Sequence, residues 1–206
     1  MKKLLGMMGM AFAAGLLCAS FAFAGTVKIG LMAPLTGSFA SEGADMRNIV
    51  ELLAEEVNKA GGINGDTVEI IVEDDGSDPR TAALAAQRLS NSGVTAVIGT
   101  YGSAVTEASQ VIYDETGIVQ VATGSTSVRL TAKGLPLFFR TCPRDDEQGR
   151  VLAAMVKKLG FKKIAILHDN SAYAKGLADE TKESLAKEGI TDIVFYDALK
   201  PNERAE

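Results

Sequence analysis

The segment TAVIGTYGSAVTEASQVIYDETGI, residues 95–118, holds the pattern that decides the fold. Thr95–Gly99 is a short apolar run that predicts a β-strand, Thr100–Ser103 forms a turn rich in small residues, and the apolar spacing after it predicts an amphipathic helix. A helix that starts directly after such a turn presents unpaired backbone N–H groups, which favour an anion. The phosphate-binding form of the turn has the pattern GxxxxGK[ST], which is absent here. The segment therefore predicts a strand, a turn and a helix, and leaves open which anion, if any, the turn binds.

Strand-like and helix-like segments alternate on both sides of this segment. The other strand-like runs are TVKIGLM (26–32), TVEIIVED (67–74), GIVQVAT (117–123), LFFRT (137–141), KKIAILHD (162–169) and DIVFYDA (192–198). The helix after the first run has apolar residues on one face at spacings of three and four, namely Met46, Ile49, Val50, Leu53 and Val57. Asp78 and Pro79 mark the start of the next helix, whereas GSTSVRLTAKG (124–134) is interpreted as a loop. Strands separated by helices of this length predict βαβ units and an α/β fold with a doubly wound, mostly parallel sheet.

The elements are distributed unevenly along the chain. Residues 25–143 hold five predicted strands and three long helices, enough for one doubly wound lobe, while 144–206 hold only two strands and two helices. Two strands cannot close a sheet that is buried on both faces. We therefore expect a first lobe at 25–143 and a partial second lobe at 144–206, in the front part of a longer protein. The alternative is a small appendage that packs on the first lobe.

The first 24 residues have the features of a signal peptide. Lys2 and Lys3 give a positive start, a long apolar stretch follows, and Ala22–Ala24 has the small-x-small form of a cleavage site. We expect cleavage after Ala24 and export of the chain. A membrane anchor is the alternative, and a lipoprotein reading at Cys18 is disfavoured by the bulky Leu17 before it.

Composition argues against several classes of function. The chain has a formal net charge of −5 and no tryptophan, and it lacks a basic cluster, which disfavours nucleic acid as a partner. After the predicted signal peptide it contains one cysteine, Cys142, and one histidine, His168. A zinc site needs three or four His, Cys or carboxylate ligands. We therefore predict no metal and no cofactor.

Three loops at the carboxyl ends of predicted strands are rich in small and hydroxylic residues. They are APLTGSFASEG (33–43), TYGSA (100–104) and TGSTS (123–127). Ligands of doubly wound sheets bind beyond these strand ends. Ser103 can offer a hydroxyl and N–H groups at a helix start, and Gly124–Thr126 can offer a carbonyl, amides and another hydroxyl. Facing each other, the two loops would bind a small carboxylate with uncharged dipoles. The alternative is that Ser103 is only an N-cap and Ser125–Ser127 only a turn.

Two tyrosines and the histidine lie near the same strand ends. Tyr173 follows the strand IAILH, where an aromatic side chain could cover a ligand or pack beside its helix. Tyr101 could do the same, although support of its turn is the favoured role. His168 is interpreted as a structural residue of the strand end rather than a catalytic base.

Enzyme motifs are scarce. The chain has no GxSxG and no GxGxxG pattern. Cys142 and His168 have the residue types of a nucleophile and its base, but a cysteine before Pro143 is more typical of a bend. The acidic run EDDGSDP (73–79) lacks the D-x-D-x-D-G spacing of a calcium loop, so a turn with a helix cap is favoured. We predict that the protein is not an enzyme.

Taken together, these segments resemble the periplasmic amino-acid-binding proteins of the branched-chain (Leu/Ile/Val) family, the type I solute receptors of ABC importers. The segments that carry the resemblance are VKIGLMAPLTGSFASEG, EEVNKAGGINGDTVEIIVEDDGSDP, VTAVIGTYGSAVTEA, GIVQVATGSTSVRLT, FFRTCPRDDEQG and IAILHDNSAYAKGLA. They cover essentially all of the chain after the predicted signal peptide. The resemblance implies two lobes that close on a ligand. It also implies that a membrane permease is a partner of the protein.

The resemblance also implies roles for individual residues. Ser103 would bind the carboxylate of an amino acid, Gly124 would contribute its backbone carbonyl, and Thr126 would contact both the carboxylate and the ammonium. Tyr173 would cover the ligand from the second lobe. The anion of the turn would then be a ligand carboxylate.

The sequence departs from the family pattern at two places. Glu42 stands where close relatives have a tyrosine in the first loop, so selectivity for the ligand side chain is expected to differ. The acidic partner of the ligand ammonium is expected beyond residue 206, and Asp145 is expected to be only a weak substitute for it. The leading hypothesis is an exported receptor that delivers an aliphatic amino acid to a membrane permease. The alternatives are a regulatory module of the same fold that binds an amide or urea-like molecule, and an exported hydrolase that uses Cys142 and His168.

Overall fold

The structure of the protein is a computed structural model, which describes residues 25–199. The predicted signal peptide and its cleavage site lie outside these residues. The strands are β1 (Thr26–Ala33), β2 (Thr67–Asp74), β3 (Ala96–Ile98), β4 (Val119–Ala122), β5 (Phe138–Arg140), β6 (Lys163–His168) and β7 (Asp192–Ala198). The helices are α1 (Ala40–Lys59), α2 (Pro79–Asn91), α3 (Ser103–Glu115), α4 (Val128–Ala132), α5 (Asp145–Leu159) and α6 (Ala172–Lys187). None of the helices within 25–199 is long and apolar enough to cross a membrane.

The strands form two parallel sheets. The first has the order β2-β1-β3-β4-β5, and the second consists of β6 and β7. The predicted α/β class and parallel pairing are therefore confirmed. The chain passes from β1 to β2 on one side of the sheet, and from β3 to β4 and β5 on the other side. The sheet therefore has a switch point between β1 and β3. Loops that meet beyond the carboxyl ends of β1, β3 and β4 are thereby placed around one crevice.

Both faces of the first sheet are covered, and β1 shows how its sequence achieves this. Successive side chains of a strand point to opposite faces. Leu31 packs on one side with Val50 of α1, while Met32 packs on the other with Leu89 of α2 and Tyr113 of α3. These side chains are buried because the strand is apolar on both faces, as is typical of parallel sheets.

Two predictions about the helices need correction. The segment 124–134 was interpreted as a loop, but it contains α4, whose Leu130 is buried against Ala122 and Phe138. The apolar face predicted for α1 is only partly covered, since Val50 is buried while Ile49 and Leu53 are 57% and 53% exposed. Among the residues that the structure describes, the part of α1 around Val50 lies on the sheet, and no element covers the side with Ile49. The prediction of Asp78 as an N-cap is confirmed, because its carboxylate accepts hydrogen bonds from the N–H groups of Arg80 and Thr81.

The second sheet lies against the pair α5 and α6. Leu185 and Ala153 of these helices form a buried cluster with the strand residue Ile164 alongside. The helices approach closely at Gly149, where a Cβ atom would lie only 2.8 Å from the carbonyl carbon of Glu180. This contact fixes the start of α5 against α6.

Asp75, directly after β2, provides a test of stability against pH. Its side chain is buried, Oδ1 accepts a hydrogen bond from the N–H of Ser77 at 2.8 Å, and Oδ2 has no partner within residues 25–199. Burial, assisted by the neighbouring Asp74 carboxylate, raises the pKa of Asp75 to about 6. Since the pKa of Asp75 is raised in the folded state, folding favours its protonated form. The carboxyl group therefore contributes to stability at low pH, and that contribution is lost as the pH rises through about 6.

We therefore expect Asp75→Asn to raise the free energy of unfolding at pH 8 by about 1–2 kcal/mol, with little change at pH 4. Urea denaturation of the variant and the parent at both pH values measures the difference. Asp45→Asn, on the exposed side of α1, serves as the control. An equal effect of Asp75→Asn at the two pH values would contradict the burial argument.

Candidate functional site

The turns that follow β3 and β4 are in direct contact. Ser103 is the first residue of α3 and is only 3% exposed. Its Oγ accepts a hydrogen bond from the backbone N–H of Ser127 at 3.3 Å. The reading of Ser103 as an N-cap is wrong, because Gly102 occupies that position and α3 has no side-chain cap. The hydroxyl is used instead to join the two turns.

Ser125 strengthens this contact between the turns. Its Oγ lies 3.1 Å from the carbonyl oxygens of both Tyr101 and Gly102, and it also forms a hydrogen bond with the hydroxyl of Thr106. All of these groups are buried or half-buried. Ser125 therefore joins its turn to the turn that follows β3.

Gly124 and Tyr101 bring the loop after β1 into the same region. A Cβ atom at Gly124 would lie 2.7 Å from Cδ2 of Tyr101, so the ring occupies the space that a side chain would need. The same ring packs against Phe39, with the ring centroids 5.3 Å apart. The loops after β1, β3 and β4 therefore meet at one end of the sheet.

Thr126 and Asp145 carry polar atoms that lack partners. The hydroxyl of Thr126 is buried without a hydrogen bond, although the backbone carbonyl of Thr126 accepts the N–H of Asp145 at 3.0 Å. Asp145 is 0% exposed, and its Oδ2 has no partner among residues 25–199. Its Oδ1 accepts only a long hydrogen bond of 3.4 Å from Gln148. Burial raises the pKa of Asp145, and the Thr126 hydroxyl, which lies near the carboxylate but outside hydrogen-bond geometry, lowers that pKa by a smaller amount.

Tyr173 comes from the second group of elements and lies on the same side. It occupies the first turn of α6, a helix that contacts α3, and it is 42% exposed. Burial raises the pKa of Tyr173, and the negative charge of Asp145 and the nearby Tyr101 add to this effect. Gly176, one turn further along α6, would place a Cβ atom 3.0 Å from Oδ2 of Asp145. α6 thus faces the unpartnered carboxylate.

Glu42 lies in the first turn of α1, at the edge of this region. It accepts a hydrogen bond from the Ser41 hydroxyl at 2.8 Å, which lowers the pKa of Glu42. Met46, one turn further and on the same side of the helix, has its Sδ 3.7 Å from the hydroxyl of Thr123. In the part of the chain that the structure describes, no hydrogen bond joins Glu42 to the turns after β3 and β4.

These residues offer two complementary kinds of binding group. The hydroxyls of Ser103 and Thr126 and the first N–H groups of α3 are uncharged donors that suit an anion. The unpartnered oxygen of Asp145 is an acceptor that suits a cation. The arrangement can therefore bind one small molecule that carries an anionic and a cationic group close together.

Phe39 and Arg140 also belong to this region, and the sequence interpretation missed both. Phe39 contacts the ring of Tyr101, and Arg140 donates hydrogen bonds to the carbonyls of Ser125 and Ser127. Both lie within the segments that carry the family resemblance, but no role was assigned to either of them. The only available signal was the single charge at the end of the apolar run LFFRT.

His168 and Cys142, the two residues of the hydrolase alternative, are not hydrogen-bonded to each other within residues 25–199. Nδ1 of His168 accepts the N–H of Asn170 at 3.0 Å, and the imidazole packs against Tyr196. Burial raises the pKa of the Cys142 thiol, which disfavours the reactive thiolate.

The acidic run 73–79 serves the fold. Asp74 accepts hydrogen bonds from the N–H groups of Leu35 and Thr36, while Asp78 caps α2. The described residues contain no group of three His, Cys, Asp or Glu side chains that could bind a metal ion. The run therefore joins two loops and starts a helix.

An open pocket of about 600 Å³ is lined by Arg140 and Cys142, behind the turn that follows β4. Its charged lining is largely paired, because Arg144 lies 2.7 Å from Asp146 and Glu147 lies 2.8 Å from Arg150. Paired side chains in an open site offer little to a ligand. The turns after β3 and β4 are therefore the better candidate.

The chain is similar in sequence to proteins of a known family. The sequence pattern of the family described as periplasmic binding protein matches residues 26–203. The Leu/Ile/Val-binding protein homolog 3 of Brucella melitensis is 39% identical over 195 residues, which are 94% of this chain and 52% of that protein. An amino acid binding protein of Pseudomonas aeruginosa is 38% identical over 180 residues, 86% of this chain and 48% of the relative. The chain thus spans about half the length of the curated relatives it matches.

Solved structures with the same fold carry ligands. The branched-chain amino acid transporter substrate binding protein LivJ of Streptococcus pneumoniae, in complex with isoleucine, is 31% identical with a TM-score of 0.78, over 86% of this chain and 51% of that one. An ABC transporter substrate-binding protein of Desulfitobacterium hafniense, in complex with Leu, is 28% identical with a TM-score of 0.71, over 87% of this chain and 52% of that one.

Proposed function

The chain belongs to the periplasmic binding protein family, and on that premise we propose that it is the extracytoplasmic receptor of an ABC importer for an aliphatic amino acid. Its α/β fold is that of the type I members. The observation that carries the proposal is the meeting of uncharged donors with the buried, unpartnered carboxylate of Asp145. An amino acid presents a carboxylate and an ammonium one carbon apart, which matches these two kinds of group.

Each residue then has a defined role. The hydroxyls of Ser103 and Thr126 and the start of α3 bind the ligand carboxylate, since hydrogen bonds to an anion are stronger than those between neutral groups. Asp145 and the carbonyl of Gly124 accept hydrogen bonds from the ammonium. Tyr173 covers the ligand from the side of α6.

Two further residues shape the rest of the cleft. Tyr101 forms a wall between the loops after β1 and β4, because its ring packs on Phe39 and fills the space over Gly124. Glu42 lies at the edge from which the ligand side chain enters. Its carboxylate is expected to change the selectivity for the ligand side chain at that edge.

The two groups of elements act as lobes. Residues 25–143 form the first lobe, which holds the anion donors, and residues 144–206 belong to a second lobe, which contributes Tyr173. Closure of the lobes around the amino acid is the signal that a membrane permease reads before it accepts the ligand. In this role the protein binds and releases its ligand unchanged, and it is not an enzyme.

Export follows from the same proposal. The positive and apolar start of the chain acts as a signal peptide that is removed after Ala24, and the mature protein works in the periplasm. N-terminal sequencing of the secreted protein tests the cleavage site directly.

Calorimetric titration of the purified full-length protein tests the binding proposal. We expect leucine, isoleucine or valine to bind, and leucinamide and 4-methylpentanoate to bind at least about tenfold more weakly, because each lacks one of the two charged groups. Preferred binding of an uncharged amide or urea would instead support the regulatory module of the same fold.

Substitution of the two hydroxyls gives a sharper prediction. Ser103→Ala and Thr126→Ala are each expected to weaken amino acid binding by about 1–3 kcal/mol, or about 5- to 150-fold, through loss of a buried hydrogen bond to an anion. Ser92→Ala is the matched control, because Ser92 lies at the opposite, amino-terminal end of β3. Circular dichroism verifies the fold of each variant. Unchanged affinity in both site variants would remove these residues from the binding site.

A further inference from the structure

Arg140, the last residue of β5, clamps the loop that contains Thr126. Its Nη1 donates hydrogen bonds to the carbonyl oxygens of Ser125 and Ser127, at 3.0 and 2.9 Å. Its Nη2 donates to Oγ1 of Thr131 in α4 at 2.8 Å. The guanidinium therefore holds the backbone on both sides of Thr126 and ties it to the next helix.

The clamp also determines where the peptide N–H of Thr126 points. A trans peptide is planar, and its N–H and C=O groups point in opposite directions. The carbonyl of Ser125 belongs to the same peptide as the N–H of Thr126. Because that carbonyl faces Arg140, the N–H of Thr126 faces away from it, and within residues 25–199 this N–H donates to no other group.

Two other backbone groups at this turn are already occupied. The N–H of Ser127 donates to Oγ of Ser103, and the carbonyl of Thr126 accepts the N–H of Asp145. Within residues 25–199, the N–H and the buried hydroxyl of Thr126 have no hydrogen-bond partner. Both are donors, which is what an anion requires.

We propose that Arg140 is a positioning residue for the anion site, which orients the Thr126 N–H and hydroxyl without touching the ligand; this inference rests on the proposed function of that site. The residue type matters, because the planar guanidinium offers several donors in a fixed geometry whereas a lysine ammonium is a single point charge on a flexible stem. The charged donors also hold the two carbonyls more strongly than neutral donors would.

The test uses Arg140→Lys in the full-length protein, with Arg88→Lys as the matched control. Arg88 lies on α2 and forms an exposed ion pair with Glu73. We expect Arg140→Lys to weaken leucine binding at least about tenfold while leucinamide, which lacks the carboxylate, changes less than about twofold. The ratio of the two affinities should therefore fall in Arg140→Lys and stay constant in Arg88→Lys. An unchanged ratio, including an equal loss for both ligands, would overturn the proposal.

A second readout does not depend on any ligand. Amide hydrogen exchange by NMR should be at least about tenfold faster in Arg140→Lys at the N–H groups of Ser127 and Asp145, and unchanged in β6. Unchanged exchange at both amides would show that Arg140 does not hold the loop. If the parent protein binds no amino acid, the proposed function fails, and the exchange measurement alone still decides whether Arg140 positions Thr126.

Discussion

Gly43→Ala is expected to lower the free energy of unfolding by about 3 kcal/mol or more, although the change adds only one methyl group. Gly43 lies in the first turn of α1 and is buried. A Cβ atom there would lie 2.1 Å from the carbonyl oxygen of Pro34, 2.5 Å from its carbonyl carbon and 3.1 Å from the N of Leu35. All three neighbours are backbone atoms, so the clash cannot be relieved by turning a side chain.

The sign of this effect is opposite to the intrinsic preference of the residues. Alanine in a helix is favoured over glycine by about 1 kcal/mol. A lower stability of Gly43→Ala would therefore be due to the close contact between α1 and the segment that follows β1. Asn48→Ala, on the exposed side of the same helix, should leave the stability unchanged or slightly raised. Urea denaturation measures both variants, and a Gly43→Ala protein as stable as its parent would show that α1 does not approach Pro34 so closely.

The contact at Gly43 also matters for the site. It sets the position of the loop that carries Phe39, whose ring packs on Tyr101. A displaced α1 would move this ring pair away from Gly124. We therefore expect the folded fraction of Gly43→Ala to bind its ligand more weakly as well.

The strands and long helices were predictable because each has a period of its own. TVKIGLM and TVEIIVED are β-rich runs of continuous or alternating apolar residues, and they match β1 and β2 closely. Asp78 before Pro79 likewise fixed the start of α2 through local chemistry alone. Local signals of this kind do not depend on what packs against the element.

The features that were missed depend on residues far apart in sequence. α4 has five residues, too few for a helical period to be visible, and it is stabilised by burial of Leu130. The exposure of Ile49 depends on what lies over α1, which its own sequence does not tell. The hydrogen bond between Ser103 and Ser127, and the clamp of Arg140, join separate loops whose meeting required the order of the strands.

Asp145 was proposed only as a weak substitute for a more distant acid, and its surroundings give it a stronger basis. A buried carboxylate costs free energy unless it is paired and hydrogen-bonded. Oδ2 of Asp145 has no partner within residues 25–199, and burial raises the pKa of the group. A protein that keeps such a group beside Thr126 gains most from it when a cation binds there.

Asp145→Asn is accordingly expected to reduce leucine affinity about 100-fold or more, since removal of one member of a buried ion pair leaves the other unpaired. The substitution keeps the shape of the side chain and removes its charge. Binding of 4-methylpentanoate, which is leucine without its amino group, should be unchanged or slightly tighter. Titration calorimetry with the two ligands measures the contrast.

The same substitution should act on stability in the opposite direction. Because burial raises the folded-state pKa of Asp145, its charged form destabilises the unliganded protein once the pH is above that value. Asp145→Asn is therefore expected to raise the midpoint of thermal unfolding at pH 8 without ligand while it weakens binding. Asp146→Asn is the matched control, because the neighbouring Asp146 is paired with Arg144 at 2.7 Å and should change neither leucine binding nor its dependence on the amino group. Leucine affinity equal to that of the parent in Asp145→Asn would exclude this carboxylate as the ammonium partner, since no neutral side chain can replace the charge that the ammonium requires.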